Sequence, residues 1–467
     1  RGRWGAVQPM GAEAKFQAKF DQKKTAQAAQ SKWKKSQAAN FKSAGPGHRW
    51  NEQKPMRYRE ASVDVRPDWA VKGQITFAEL AKLTTEVPEV EDVYSCGSLH
   101  YYDKAFDRVT PKTEKPLERI ERAFYKVSTS DDPEVARLAE DPKLQDVRVY
   151  ATDAILAVLM GAPRSAFSWD IVVNRVGDKL FLDKRIDSAI DYVTCNETAN
   201  DFGDEDRESI NHVSKLTTEA TFINQNFSQQ VLQPKDCKEG IFSFDTPESP
   251  FSTAATDGGQ TAAPVGYKYR VYTLGKPPTG KPGDEEDNRI KVLARTEIDG
   301  VAKGKQDEDL LMRLYSLNEV DSKLTNGIDW RQKLDSQRGA VLATELKNNS
   351  SKLAKWTLQA MLAGADLIKL GYVSRVHPRD SVSHVILGTQ TYKPKEFATQ
   401  INLNINQAWG ILKAIIDLCL QLEEGRYLLL KDPNKPVIRL YTLPLDAFED
   451  IEEEEENAKN ILDENDD

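Results

Sequence analysis

Residues 150–185 read YATDAILAVLMGAPRSAFSWDIVVNRVGDKLFLDKR, and this stretch decides the fold class. Thr152 can cap a helix through DAILAVLM, with Asp153 in the first turn where its charge meets the positive end of the helix dipole. Gly161 to Pro163 should stop that helix. SWDIVVNRVGDKLFLDKR then gives two apolar-rich strands about Gly177-Asp178, a β-hairpin. Helix followed by hairpin excludes an all-α or all-β chain. Working outward, VDVRPDWAV (63–71) alternates like an edge strand, and VGYKYRVYTL (265–274) and IKVLARTEID (290–299) read as strands. TTEATFINQNFSQQVL (217–232) reads as a helix. LATELKNNSSKLAKWTLQAMLAG (342–364) reads as a strand leading into an amphipathic helix. INQAWGILKAIIDLCLQLEEG (405–425) reads as a helix capped by Gly425, and RYLLLKDPNKPVIRLYTL (426–443) as a closing hairpin. The expectation is one large α+β domain over residues 61–445, a central mixed β-sheet flanked by helices.

The charge is divided between the ends. Residues 1–60 carry 14 Lys and Arg against four Asp and Glu, whereas residues 446–467 carry 12 acidic residues against Lys459. The first segment predicts a basic arm for RNA, ribosome or subunit contact and the second a solvated acidic tail. The start at Arg1 rather than Met predicts a natural N-terminus further upstream. Cys96, Cys195, Cys237 and Cys419 lie far apart without a CxxC pair, which argues against a zinc module or a disulfide framework. No apolar run approaches the roughly 20 residues of a membrane helix, so a soluble, cytoplasmic protein without membrane contact is expected. The polar stretch from Asp183 to about Ser214 exceeds an ordinary connection; loops of that length are functional or disordered.

Glycine-rich phosphate loops, dinucleotide fingerprints and GxSxG elbows are missing from the sequence, which removes the commonest enzyme classes. The five histidines form no pair on a helix face, and structural roles suit them better. Glu297-Ile298-Asp299 places two carboxylates on one face of a strand, and Glu345-Leu346-Lys347 an acid and a base, if both lie in strands. Converging carboxylates could hold a catalytic cation, or they could be a solvated strand face. Recognition of a methylated, cationic base needs aromatic faces, a carboxylate and basic side chains for phosphate. Phe167, Trp169, Tyr192, Phe222 and Phe227, with Asp153, Lys179, Lys184 and Arg185 close in sequence, are candidates, although aromatics serve cores at least as often.

Several strings together resemble the d-subunit family of eukaryotic translation initiation factor three: YYDKAFDR (101–108), YATDAILAVLM, FSWDIVVNRVG, NETAN (196–200), GIDWRQKLDSQRGAVLATELKNNS (327–350) and LKDPNKPVIRLY (430–441). The resemblance runs from about Ser62 to Tyr441. It implies a fold similar to the decapping and 5′-end quality-control nucleases, in which RTEIDG (295–300) resembles a Glu-x-Asp metal motif. KLAKWTLQAMLAGADLIKLGYVSR resembles the helix and strand after the active site, with Lys355 and Gln359 at its polar positions. GYKYR ends in Arg270 where the nucleases have Glu, and MRLYSLNE offers Arg313 and Tyr315 where they have a Glu-Leu-Lys motif. Glu297, Asp299, Glu345 and Lys347 would then be a relic acidic site without metal, cofactor or catalysis. The resemblance further implies an mRNA 5′-cap tunnel lined by Asp153, Ala166, Phe167 and Trp169 and by Thr221, Asn224 and Gln225. Over it lies a gate loop at 189–203, AIDYVTCNETANDFG, with Asp191, Tyr192, Glu197, Thr198 and Asn200. Its acidic residues would oppose RNA until moved. Implied partners are capped mRNA, the small ribosomal subunit through rRNA and head proteins, and the other components of the factor, notably its e subunit. An active metal-dependent decapping or 5′-exonuclease and a purely structural scaffold are the competing functions.

Overall fold

Helix α1, Asp153–Met160, follows strand β4, Val147–Thr152, without a break, because Thr152 has extended dihedrals and its side chain accepts from the Ile155 N–H. This is the capped helix expected from the sequence, and it ends at Gly161. The computed structural model describes residues 6–7, 59–197, 208–235, 237–251, 261–276, 289–322 and 327–448. The expected basic arm and acidic tail lie almost wholly outside these residues.

The strands named here are β1 Val71–Thr76, β2 Glu89–Cys96, β3 Lys115–Pro116, β4, β5 Asp170–Val176, β6 Lys179–Asp183, β7 Gly266–Leu274, β8 Ile290–Ile298, β9 Gly300–Lys303, β10 Asp309–Asn318, β11 Leu367–Arg375, β12 His384–Tyr392, β13 Gly425–Lys431 and β14 Val437–Leu443. They form not one central sheet but two. A nine-stranded sheet runs β1-β14-β13-β5-β6-β4-β8-β7-β2, and a five-stranded sheet β9-β10-β11-β12-β3. Both are mixed: β4 is parallel to β6 and β8, and β10 to β11, with the remaining pairs antiparallel. The hairpins expected around Gly177 and around residues 432–434 both form.

Helix α2, Val213–Gln230, covers one face of the five-stranded sheet, where Ile223 and Phe227 meet Met312, Leu314 and Val373. Phe227 presses so closely on Gly371 that a Cβ there would lie 2.3 Å from its ring, which explains glycine at that place in β11. Helix α3, Arg338–Asn348, leads at Asn349 into α4, Ser350–Ala363. Helix α4 touches both sheets and α1, and helix α5, Ile405–Leu420, packs on α1. Leu353, Leu358 and Leu362 of α4 are almost fully buried, each contributing about 1.5–3 kcal/mol. Among the described residues no helix is long and apolar enough to cross a membrane.

Three local expectations change. Residues 63–70 form no strand: Pro67 interrupts the alternation, the Trp69 N–H closes a turn on the Arg66 carbonyl, and the edge strand is β1 instead. Residues 342–348 are helical, because Val341, Leu342, Glu345 and Asn348 are buried at helical spacing. Gly425 does not cap α5, which ends at Gln421; it opens β13 with φ of 153°.

Candidate nucleic-acid interface

Parallel pairing of β4 with β8 sets Thr152 beside Arg295, so Asp153 at the head of α1 arrives next to the end of β8. Its carboxylate accepts from the Glu297 N–H at 3.3 Å and from Gln359 Nε2 at 3.4 Å. Glu297 and Asp299 point the same way, as their spacing predicts, and all three carboxylates converge on Arg313 of β10. The guanidinium lies 3.1 Å from Asp299, 3.6 Å from Asp153 and 3.8 Å from Glu297. It also donates to the Glu297 carbonyl and, at 3.2 Å, to the Tyr315 hydroxyl. Tyr315 in turn stacks on Trp356 of α4, with centroids 4.7 Å apart.

Burial pushes the Asp153 carboxyl up to about 6 against the pull of Arg313, and raises Asp299 for the same reason. Burial would raise Glu297 too, but Lys126, Arg313 and Arg295 outweigh it and hold that carboxyl below its usual range. Three convergent carboxylates are the donor set of a divalent cation. These residues do not fit one, because a buried guanidinium stands among them and repels any second cation.

The rest of the expected acidic site disperses. On a helix, Glu345 and Lys347 point apart: Glu345 is buried and Lys347 exposed. Glu345 accepts from Asn349 Nδ2 at 2.8 Å, and Asn349 Oδ1 accepts from the Asn196 N–H. Arg270 lies outside the cluster, bonding Asp92 and the Leu362 carbonyl. Among the proposed phosphate ligands, Arg185 makes a two-pronged ion pair with Asp170 and Lys179 donates to the Ala139 carbonyl.

Burial lifts the Glu345 carboxyl from 4.5 to about 7, partly offset by Lys352 and Asn349. A carboxyl with a raised folded value holds its proton better folded than unfolded. Its stabilisation is therefore full below pH 4.5 and lost as the pH rises to about 7. Glu345→Gln keeps an acceptor for Asn349 and removes the titration. In urea denaturation, stability of the wild type relative to this variant should fall by about 3 kcal/mol between those two pH values. A constant difference would mean that Glu345 does not bury its proton.

The two expected tunnel segments are joined through the gate loop. Glu197 is buried, 2% exposed, and accepts from the Ala166 N–H at 2.6 Å, the Phe167 N–H at 2.8 Å and Ser165 Oγ at 3.1 Å. Lys431 Nζ donates to the Ala166 carbonyl at 2.8 Å; burial lowers its ammonium to about 8, against the pull of Glu197. On the other side, the Val193 N–H donates to Thr221 Oγ1 at 2.9 Å. Asn224 Oδ1 accepts from the Ser316 N–H at 2.9 Å, while the Gln225 side chain is half-buried. Phe167 has Arg59 over its ring at 4.8 Å, and Trp169 is buried. Within the described part of the loop, residues 189–197, the acidic side chains are held internally. Glu197 is an internal anchor, and Asp191 is ion-paired with Lys184; Tyr192 is half-buried. Thr198 and Asn200 lie outside the described residues.

Sequence reasoning missed Lys126 and Tyr267. With Glu297 they line a small recess beside the carboxylate cluster, about 20 Å³ in volume, room for about one water molecule. Register in β7 carried one usable signal, since Tyr267 pairs with Glu297.

Residues 2–442 match the family model described as eukaryotic translation initiation factor 3 subunit 7 (eIF-3). The D subunit of eukaryotic translation initiation factor 3 from Aedes aegypti is 51% identical over 413 residues, covering 88% of this chain and 64% of that protein. The Homo sapiens protein of the same name is 51% identical over 408 residues, covering 87% of this chain and 70% of its own length. Among solved structures, Rai1 of Scheffersomyces stipitis is similar with a TM-score of 0.48 and 14% identity, covering 78% of this chain and 92% of that one. Rai1 of Candida albicans is similar with a TM-score of 0.47 and 13% identity, covering 79% and 92%.

Proposed function

Since this chain belongs to the D-subunit (subunit 7) family of eukaryotic translation initiation factor 3, we propose that it is a non-catalytic, mRNA 5′-cap-binding component of that factor. It acts in the cytoplasm on the small ribosomal subunit, in initiation on selected mRNAs, alongside the other subunits, the e subunit among them. The observation that carries the non-catalytic part is Arg313. A guanidinium ion-paired with Asp153, Glu297 and Asp299 neutralises the carboxylates that metal-assisted phosphodiester cleavage would need. Binding is supported by the segments at 165–169 and 221–225, tied together through residues 193–197, with basic side chains nearby. Lys355 is one: burial lowers its ammonium to about 8, and it donates to the Ile190 carbonyl.

The test is crosslinking of the protein, within its complex, to an mRNA leader labelled at the cap, with free cap analogue as competitor and with or without Mg2+ or Mn2+. The expected result is crosslinking abolished by the analogue and no label released with either metal. Crosslinking indifferent to the analogue would favour a scaffold. Metal-dependent release of label would favour a decapping enzyme.

A further inference from the structure

Glu345, near the end of α3, is buried at 7% exposure, and its carboxyl accepts from Asn349 Nδ2 at the junction with α4. The Asn349 amide is fully committed. Its Nδ2 also donates to Asn196 Oδ1 at 3.2 Å, and its Oδ1 accepts from the Asn196 N–H at 2.8 Å. Asn196 itself stands in the left-handed region with φ of 49°, a conformation that asparagine tolerates when its neighbours fix it. One amide thus joins a buried acid to residues 193–197. Close by, Lys352 of α4 is 4% exposed, its Nζ has no hydrogen-bond partner among the described residues, and it lies 5.4 Å from the centre of the Trp356 ring. Cys195 lies in the field of both Glu345 and Lys352. The other titratable groups around the acid are engaged or neutral. Glu319, after β10, accepts from the Trp330 N–H at 2.7 Å, and Glu219 of α2, which acts on Cys195, is paired with Arg375 and His384. Burial raises the Tyr372 hydroxyl of β11 and lifts the Cys195 thiol to about 11.

We propose that Glu345, Asn349 and Asn196 form an acid-tightened latch, in which a proton on Glu345 locks residues 193–197 against the α3–α4 junction and its loss frees them. With the proton, Glu345 is a neutral group in a dry place and keeps Asn349 in line. Without it, the carboxylate is desolvated and gains by turning to the unpartnered Lys352 ammonium or by admitting water. The first withdraws the acceptor from Asn349; the second lifts Cys195 and Asn196 away. Both loosen the segment. The sign follows from linkage: covered, the carboxyl keeps its proton to about 7, and wetted, to its ordinary 4.5. Opening is therefore favoured as the pH rises between those values and opposed as it falls. Glu197 follows Asn196 directly, so the same opening loosens its hold on Ser165, Ala166 and Phe167.

The experiment is hydrogen exchange of the full chain from about pH 5 to about pH 8, read by mass spectrometry and corrected for the intrinsic rate of a free amide at each pH. In the wild type, opening of residues 189–197 should rise about tenfold per pH unit and level off near 7. Glu345→Gln should give a flat profile. Lys352→Met, which deletes no side-chain hydrogen bond among the described residues, should carry the levelling-off to higher pH, because Lys352 draws the carboxyl down. Strand β13 reports complete unfolding and should stay better protected throughout. If the wild type and Glu345→Gln share one profile, or if residues 189–197 open only as often as β13 at every pH, the latch is wrong. Should Glu345→Gln fail to fold, Lys352→Met decides: a levelling-off unmoved from that of the wild type overturns the latch.

Discussion

Arg313→Ala should lower the unfolding free energy by about 3–5 kcal/mol, the range for deleting one partner of a buried ion cluster. The loss arises less from the bonds themselves than from three carboxylates left close together and dry. Asp153 and Asp299 are already pushed up by burial while Arg313 is present, so without it both should hold their protons to higher pH still. The same deletion should create a cation site. Millimolar Mn2+ is expected to raise the melting temperature of Arg313→Ala and to leave the wild type unmoved, because only the variant has uncompensated convergent oxygens. Equal responses in both proteins would show that the guanidinium does not close the site to metal.

Glu197→Ala should be nearly as costly, about 4 kcal/mol. It removes charge-assisted hydrogen bonds to Ser165, Ala166 and Phe167, each worth roughly 1.5–3 kcal/mol. It also leaves two backbone N–H groups and the Lys431 ammonium without their carboxylate. Because 165–167 and 193–197 lose their common anchor, the effect should reach the interface: cap-competed crosslinking should weaken by at least tenfold at a temperature where the variant is still folded. Limited proteolysis should cut near residue 165 in the variant and not in the wild type. A variant that melts early yet retains full competition would reduce Glu197 to a purely structural part.

The hairpin 170–183 and the capped helix 153–160 were legible because their signals are local: a Gly-Asp turn between apolar runs, and a threonine before a helical run. The division into two sheets was not. IKVLARTEID reads as a strand, but nothing in it says that it pairs with Val147–Thr152, and the strand Asp309–Asn318, which pairs with Leu367–Arg375, carries no strand reading in the sequence. Residues 342–348 misled because a polar Glu345 occupies a buried helical position, which blurs the period. In the site, the Glu-x-Asp spacing was visible, whereas the arrival of Asp153 depends on parallel register across more than a hundred residues. Lys126 has no local signature at all, being one of many lysines until the fold closes around it.

Asp299 stands alone between β8 and β9, so the chain steps from the large sheet to the small one at a member of the ion cluster. Glu297 belongs to the first sheet and Arg313 to the second, and α4 packs on both. The cluster is thus a rivet through the seam, and it sets cooperativity. Peeling either sheet away alone would strand buried charge on both, which makes partial opening at the seam nearly as costly as complete unfolding. The amides of Leu293 and Ala294 should therefore exchange with solvent at the same free energy as those of Leu314 and Tyr315. The guanidinium that closes the site to a cation is thus also the element that makes the two halves melt as one.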